Sequence, residues 1–270
     1  MSSLGLAFAD GAVVAKRNIK KIKRVPEILI WTTMSPIMFV LLFAYVFGGQ
    51  IVEAAGVSYR EYLIAGVFVQ TVLFGSTFTG AGLAEDMTRG IIDRFRSLPM
   101  SRSALLIGRT SSDLVYNSIS ILVMSLAGLI VGWRIRTGPI DAIQGFLLLL
   151  LFAYAVSWIM AFVGMKVSSV EVVQNASFMF IFPMTFIANT FVDASLLPPV
   201  LRTFAEWNPV SSVTQALREL FGNVAAGTPV ADAWSLQHPV AYSLIWVGII
   251  LAIFVPLSQR QYEKAAARVG

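Results

Sequence analysis

From residue 28 onward the chain alternates between long runs with no formal charge and short stretches where charged residues, proline and glycine gather. Six runs stand out, at 28–47, 62–84, 114–133, 142–165, 172–192 and 239–258. Each is close to the ~20 residues an α-helix needs to cross a hydrocarbon layer of about 30 Å. The pattern predicts an all-α membrane protein of six transmembrane helices in a single domain spanning 1–270.

The segments between the runs have patterns of their own. In residues 4–24, Phe8, Ala12, Ala15, Ile19 and Ile22 recur at helical spacing, while Lys16, Lys20 and Lys23 occupy the opposite face with Arg17, Lys21 and Arg24 beside them. Segment 1–27 therefore reads as an amphipathic helix lying on the membrane surface, with a solvated basic tail as the plainer alternative. Pro36 is expected to kink the first span. Segment 193–238 is broken by Pro198, Pro199, Pro209, Gly222, Gly227 and Pro229, leaving room for two short re-entrant or interfacial helices. The second would begin at Pro209, capped by Asn208, and align Val210, Val213, Leu217 and Leu220 in one stripe. Asn208 and Pro209 would then form part of an outer gate or a plain structural lid.

Segment 85–113 is charge-rich and lies between two uncharged runs. Glu85 and Arg89 stand four apart with the acid first, and Asp86 offers Arg89 a second partner, so the second span should continue past the membrane as a charged helix. Leu98 and Pro99 interrupt it, and Ser101 can cap a helix from Arg102 through Arg109 and Asp113 into the third span. The resulting hairpin leaves Ile91, Ile92, Phe95 and Leu98 to be covered by a partner or by lipid.

Composition agrees with this layout. Of 270 residues, 57% are hydrophobic and 13% charged, against about 25% charged in soluble domains. The net charge of +5 is unevenly placed. Six Lys and Arg precede residue 28, five lie in 85–110, Lys166 follows, and Arg260, Lys264 and Arg268 close the chain. The opposite side holds only Arg60, Arg134, Arg136, Arg202 and Arg218. Both termini and the 85–113 hairpin are thus expected in the cytoplasm. Basic residues that flank spans suit anionic membrane lipids and argue against a nucleic-acid partner. The first 27 residues are polar or amphipathic and the first run is longer than a signal core, so the N-terminus is expected to be retained.

Several chemistries are excluded. There is no cysteine, and His238 is the single histidine, so neither a thiolate nucleophile nor a histidine metal cluster can form. No Gly-Lys dipeptide occurs, so the chain has no phosphate-cradling loop, and any ATPase must be another polypeptide. None of the six runs contains an ionisable Asp, Glu, Lys or Arg, which disfavours an ion-coupled carrier. Uncharged polar residues do occur, among them Gln70, Thr71, Asn117, Gln174, Asn175 and Asn189. Each could hydrogen-bond between helices or meet a substrate. Phe178, Met179, Phe180, Phe182 and Met184, together with Phe74, could wall a greasy cavity or face lipid. Small residues at spacing four, such as Ser76 and Gly80 or Ala153, Ser157 and Ala161, allow close helix approach within one chain or across a dimer.

Three stretches, SPIMFVLLFAYVFGG (35–49), EDMTRGIIDRFRSLPMSRSALLIGR (85–109) and WNPVSSVTQALRELFG (207–222), resemble the permease subunit of a type-2 ABC exporter, in the daunorubicin-resistance branch of actinobacterial exporters. They follow one another in the expected order along the chain. The resemblance implies a cell-membrane permease without catalytic or metal-binding residues, paired with a second copy of itself or a paralogous permease. ATP and Mg would be held by a separate ABC ATP-binding subunit. It further implies that this subunit is contacted by Glu85, Arg89, Gly90, Asp93, Arg94, Leu98, Pro99, Ser101 and Arg102, and by the interfacial helix with Lys16, Arg17, Lys20 and Lys21. A substrate path between copies would involve Gln70, Phe74, Asn117, Asn175, Phe178 and Phe182. The exported molecule would be an amphipathic drug, a lipid or a lipid-linked compound. A secondary carrier working without an ATPase is the alternative, separable by whether an ATP-binding cassette gene lies beside this one.

Overall fold

A computed structural model describes residues 34, 36–47, 58–90, 104–167, 169–224 and 232–267, and among these the regular structure is entirely helical. The first helix, α1, is described over Pro36–Val46 and widens into a π turn over Phe43–Phe47. Next come α2 (Tyr59–Thr88), α3 (Ala104–Val131), α4 (Pro139–Lys166) and α5 (Val170–Phe186). Two short helices, α6 (Pro199–Trp207) and α7 (Pro209–Phe221), precede the single turn α8 (Trp234–Gln237) and the long α9 (Pro239–Ala267).

Helix α2 is the axis of the bundle. It starts at a capping box in which the Ser58 hydroxyl accepts from the Glu61 N–H and the Glu61 carboxylate accepts from the Ser58 N–H. Its 30 residues extend about 45 Å, well beyond a hydrocarbon layer. Along most of that length it is buried on every side, by α3, α4, α5 and α7. Such an all-round fit needs small residues where neighbours cross. At the crossing with α4, a Cβ on Gly164 would lie 2.2 Å from the Gly80 carbonyl oxygen, and one on Gly80 would lie 2.7 Å from that of Met160. One turn away the Ser76 hydroxyl reaches the Ala153 carbonyl at 3.2 Å. The small-residue spacing read from the sequence thus joins α2 to α4 within one chain.

Among the described residues, four helices are long and apolar enough to cross a membrane: α2, α3, α4 and α9. The first predicted span is described only from Met34, so its remainder and segment 1–27 lie outside the described residues. Helix α3 is already helical at Ala104, ten residues before the third apolar run, so Arg109 and Asp113 sit inside one continuous helix.

The fifth run behaves differently from its expected helix over 172–192. Helix α5 ends at Phe186, and residues 187–193 turn back over the bundle. With 17 residues it extends about 25 Å. Pro183 lies near its end and cannot supply a backbone donor. Side chains satisfy the turn that follows. Tyr62 donates to the Asn189 carbonyl at 3.2 Å, Tyr59 to that of Phe191 at 3.1 Å, and the Asn189 N–H donates to Ser211 at 3.1 Å. Irregular backbone at depth survives only with partners of this kind.

The two short helices stand where the breakers predicted them. Asn208 caps α7 by accepting from the Val210 N–H at 2.9 Å, Pro209 fills the first turn, and Gly222 ends the helix with a left-handed φ of 71°. Val210, Val213 and Leu217 of the predicted stripe are buried, against α2, α4 and α9. So are Ser211, Thr214 and Arg218, which makes α7 a buried plug rather than a surface helix.

Candidate functional site

A cavity of about 480 Å³ opens between α1, α2, α3 and α5. Helix α1 gives it Pro36 and Phe39; α2 gives Gln70, Thr71, Phe74, Gly75, Thr77 and Phe78. Tyr116 and Ser120 come from α3, and Gln174, Phe178 and Phe182 from α5. Five phenylalanines and no formal charge make this an apolar chamber with a few polar points.

Those polar points differ in how they are satisfied. The Thr71 and Thr77 hydroxyls donate back to the carbonyls of Val67 and Phe74 on their own helix, each at 2.7 Å. Gln70 is 4% exposed, and its Oε1 has no hydrogen-bond partner among the described residues. Burying an amide acceptor unpaired is costly, which makes Gln70 the candidate polar anchor of the cavity.

Of the six sequence-predicted path residues, Gln70, Phe74, Phe178 and Phe182 meet around this cavity. Asn117 lies behind the wall, fully buried, with its amide so close to α2 that a Cβ on Gly75 would lie 2.5 Å from Oδ1. Asn175 is exposed and takes no part in the lining; its neighbour Gln174 does. A helical turn covers about 100° per residue, so a shift of one position moves an amide from wall to surface.

Beneath the cavity, α3 is tied to α2 by charged groups. Arg109 Nη2 donates to the Phe78 carbonyl at 2.7 Å, and the Thr79 hydroxyl donates to Asp113. Gly82 makes room for this, because a Cβ there would collide with the Arg109 guanidinium. Phe78 and Tyr116, both in the lining, touch ring to ring at 5.4 Å. The start of α3 is therefore joined directly to the cavity wall.

Farther along α2, Glu85 and Arg89 form the predicted ion pair at 2.7 Å, and Gly90 turns the chain with a φ of 63°. Asp93, Arg94, Leu98, Pro99, Ser101 and Arg102 lie outside the described residues, as do Lys16, Arg17, Lys20 and Lys21.

At the other end, α7 is bolted to α5. Asn208 Nδ2 donates to the Met184 carbonyl at 2.8 Å, and Arg218 Nη2 donates to the carbonyls of Asn189 and Thr190 at 2.7 and 3.2 Å. Arg218 Nε adds the Tyr62 carbonyl at 3.1 Å. Nearby, Glu61 holds Arg136 through both carboxylate oxygens, at 3.0 and 2.9 Å. Trp133 and Arg134 are linked through Asn223. In the sequence Arg218 and Arg136 stand out only as outer-side charges. The available signal was the polar repeat Ser211, Thr214, Arg218, which gives α7 a second stripe beside its apolar one.

The model of the ABC-2 type transporter family matches residues 11–221. A daunorubicin resistance ABC transporter permease protein, DrrB1 of Streptomyces coeruleorubidus, is 30% identical over 251 residues, covering 93% of this chain and 85% of the relative. A relative from Mycobacterium tuberculosis bears the name probable doxorubicin resistance ABC transporter permease protein DrrC. It is 24% identical over 224 residues, covering 83% of this chain and 77% of its own length.

Proposed function

The chain belongs to the ABC-2 type transporter family and is a membrane permease subunit of an ABC exporter; from that premise we propose that its uncharged cavity receives an amphipathic drug or lipid-like molecule for export. The observation that supports this reading is the chamber itself: a ring of phenylalanines with one unpartnered amide oxygen, Gln70 Oε1. An apolar body enters the rings and a donor group meets Gln70. The names of the two relatives make daunorubicin and doxorubicin the first compounds to try.

ATP is bound with Mg and hydrolysed by a separate ATP-binding subunit, which docks on the cytoplasmic side against segment 1–27 and the 85–113 hairpin. Both termini face the cytoplasm, six spans cross the membrane, and two permease copies or paralogues pair. The charge asymmetry supports the orientation, and the six apolar runs support the span count. Motion of the hairpin reaches the cavity through α3, whose Arg109 and Asp113 grip α2 beside Phe78. Helices α6 and α7 form the outer closure.

The test is reconstitution of the chain with its ATP-binding subunit in proteoliposomes, followed by ATP-dependent daunorubicin movement. Transport that requires ATP and the partner subunit is the expected result. Transport by this chain alone, driven by an ion gradient, would establish the secondary-carrier alternative instead.

A further inference from the structure

Phenylalanine rings continue from the cavity toward the outer turn without a gap. Phe74 lies 6.2 Å from Phe178, Phe178 5.0 Å from Phe182, and Phe182 4.1 Å from Phe186. Phe186 then lies 4.9 Å from Phe191, and Phe191 4.9 Å from Phe43. Helical spacing accounts for only part of this row. Phe178, Phe182 and Phe186 recur every fourth residue of α5, but Phe191 comes after that helix has ended, and Phe43 stands on α1. Four elements, α1, α2, α5 and the 187–193 turn, bring these rings together, and Phe39 of the cavity wall flanks the row at 6.1–6.4 Å from Phe43, Phe186 and Phe191.

The row also changes character along its length. Phe178 is 55% exposed and Phe182 38%, whereas Phe191 is 4% exposed beneath a turn whose carbonyls are held by Tyr59, Tyr62 and Arg218. It is open where it meets the cavity and shut at its outer end.

We infer that Phe74, Phe178, Phe182, Phe186 and Phe191 form an exit track along which a flat apolar ligand passes from the cavity to the outer face, with Phe191, backed by Phe43, as its closed end. This rests on the cavity being the ligand site. Stacking offers similar, shallow contacts at every step, so a ligand can exchange one ring for the next without a charged barrier or a deep trap. The ligand class is a planar apolar molecule bearing at least one hydrogen-bond donor for Gln70. Release follows when the 187–193 turn lifts Phe191 out of line.

The test uses daunorubicin as the planar probe and the chain reconstituted with its ATP-binding subunit. Equilibrium binding and ATP-dependent efflux are measured for Phe186→Leu and Phe191→Leu, which keep apolar bulk and lose the ring, and for Phe186→Trp, which keeps a ring. Efflux should fall about two- to tenfold in both leucine variants, the span expected for one lost ring contact, with binding affinity changed less than about twofold. Phe186→Trp should retain efflux. Unchanged efflux in both leucine variants overturns the track, as does equal loss in Phe186→Trp, which would mark simple packing. Weakened binding in the leucine variants would place these rings in the cavity and also overturn it. Gln70→Leu and Phe74→Ala report separately on the cavity: normal binding in both would defeat the cavity reading, and absence of binding to the unsubstituted chain would defeat both.

Discussion

The guanidinium carbon of Arg218 lies 3.4 Å from the centroid of the Tyr62 ring, and the same side chain is 1% exposed. No carboxylate bonds to it among the described residues; its charge is met by the ring face and by three backbone carbonyls. Arginine suits this place because its planar fork can serve several carbonyls while stacking on an aromatic face.

Removing that fork should loosen the outer closure. Arg218→Met leaves the Asn189 and Thr190 carbonyls with fewer donors in a buried setting, at ~1–3 kcal/mol per orphaned group. Arg218→Lys keeps the charge but loses the stacked, divided geometry, so it should recover only part of the loss. Thermal unfolding of the detergent-purified chain measures both. A methionine variant as stable as the parent would show that the latch contributes nothing.

The α2–α4 crossing gives a paired prediction. A Cβ on Gly164 would lie 2.2 Å from the Gly80 carbonyl oxygen, whereas one on Gly248 of α9 meets nothing within 4 Å. Gly164→Ala should therefore destabilise by about 1–3 kcal/mol, as overpacking does. Gly248→Ala should stabilise by up to ~1 kcal/mol, because alanine is the better helix former. Opposite shifts in unfolding temperature are the expected outcome; shifts of one sign would contradict the reading of the crossing.

Much of this architecture was legible in the hydrophobic pattern. The runs at 62–84, 142–165 and 239–258 each fall inside a long helix, and Asn208 and Pro209 open α7 as local capping rules require. The end of α5 was not legible. An apolar run shows that a segment avoids water, but residues 187–192 belong to the uncharged run and still leave the helix, because Arg218, Tyr59 and Tyr62 supply donors from far along the chain. For the cavity, polar residue type was readable and facing was not. Gln70 and Asn117 look alike in sequence, yet one lines the chamber and the other is wedged behind Gly75.

The Glu85–Arg89 pair should matter to coupling more than to stability. It is a partly exposed ion pair four residues apart on a helix, a class contributing roughly half a kcal/mol or less. Glu85→Arg is expected to leave membrane insertion and unfolding temperature nearly unchanged while separating ATP hydrolysis from export in the reconstituted complex. Arg94→Glu is expected to do the same. If both variants keep substrate-stimulated hydrolysis and export at parental levels, these residues are not part of the docking surface.

Gln70 separates a ligand-binding polar group from a structural one by the sign of its effect. A structural amide, such as Asn208 with its bonds to Val210 and Met184, loses stability when removed, by ~1 kcal/mol for the cap alone. Gln70 Oε1 has no partner to lose among the described residues, so Gln70→Leu should leave the unfolding temperature equal or raised. Its deficit should appear in ligand affinity, at about five- to tenfold for one hydrogen bond of ~1 kcal/mol. Binding of daunorubicin to the purified chain and thermal unfolding of the same sample provide the two readings. Reduced stability with unaltered affinity would make Gln70 a packing residue and leave the cavity without its polar anchor.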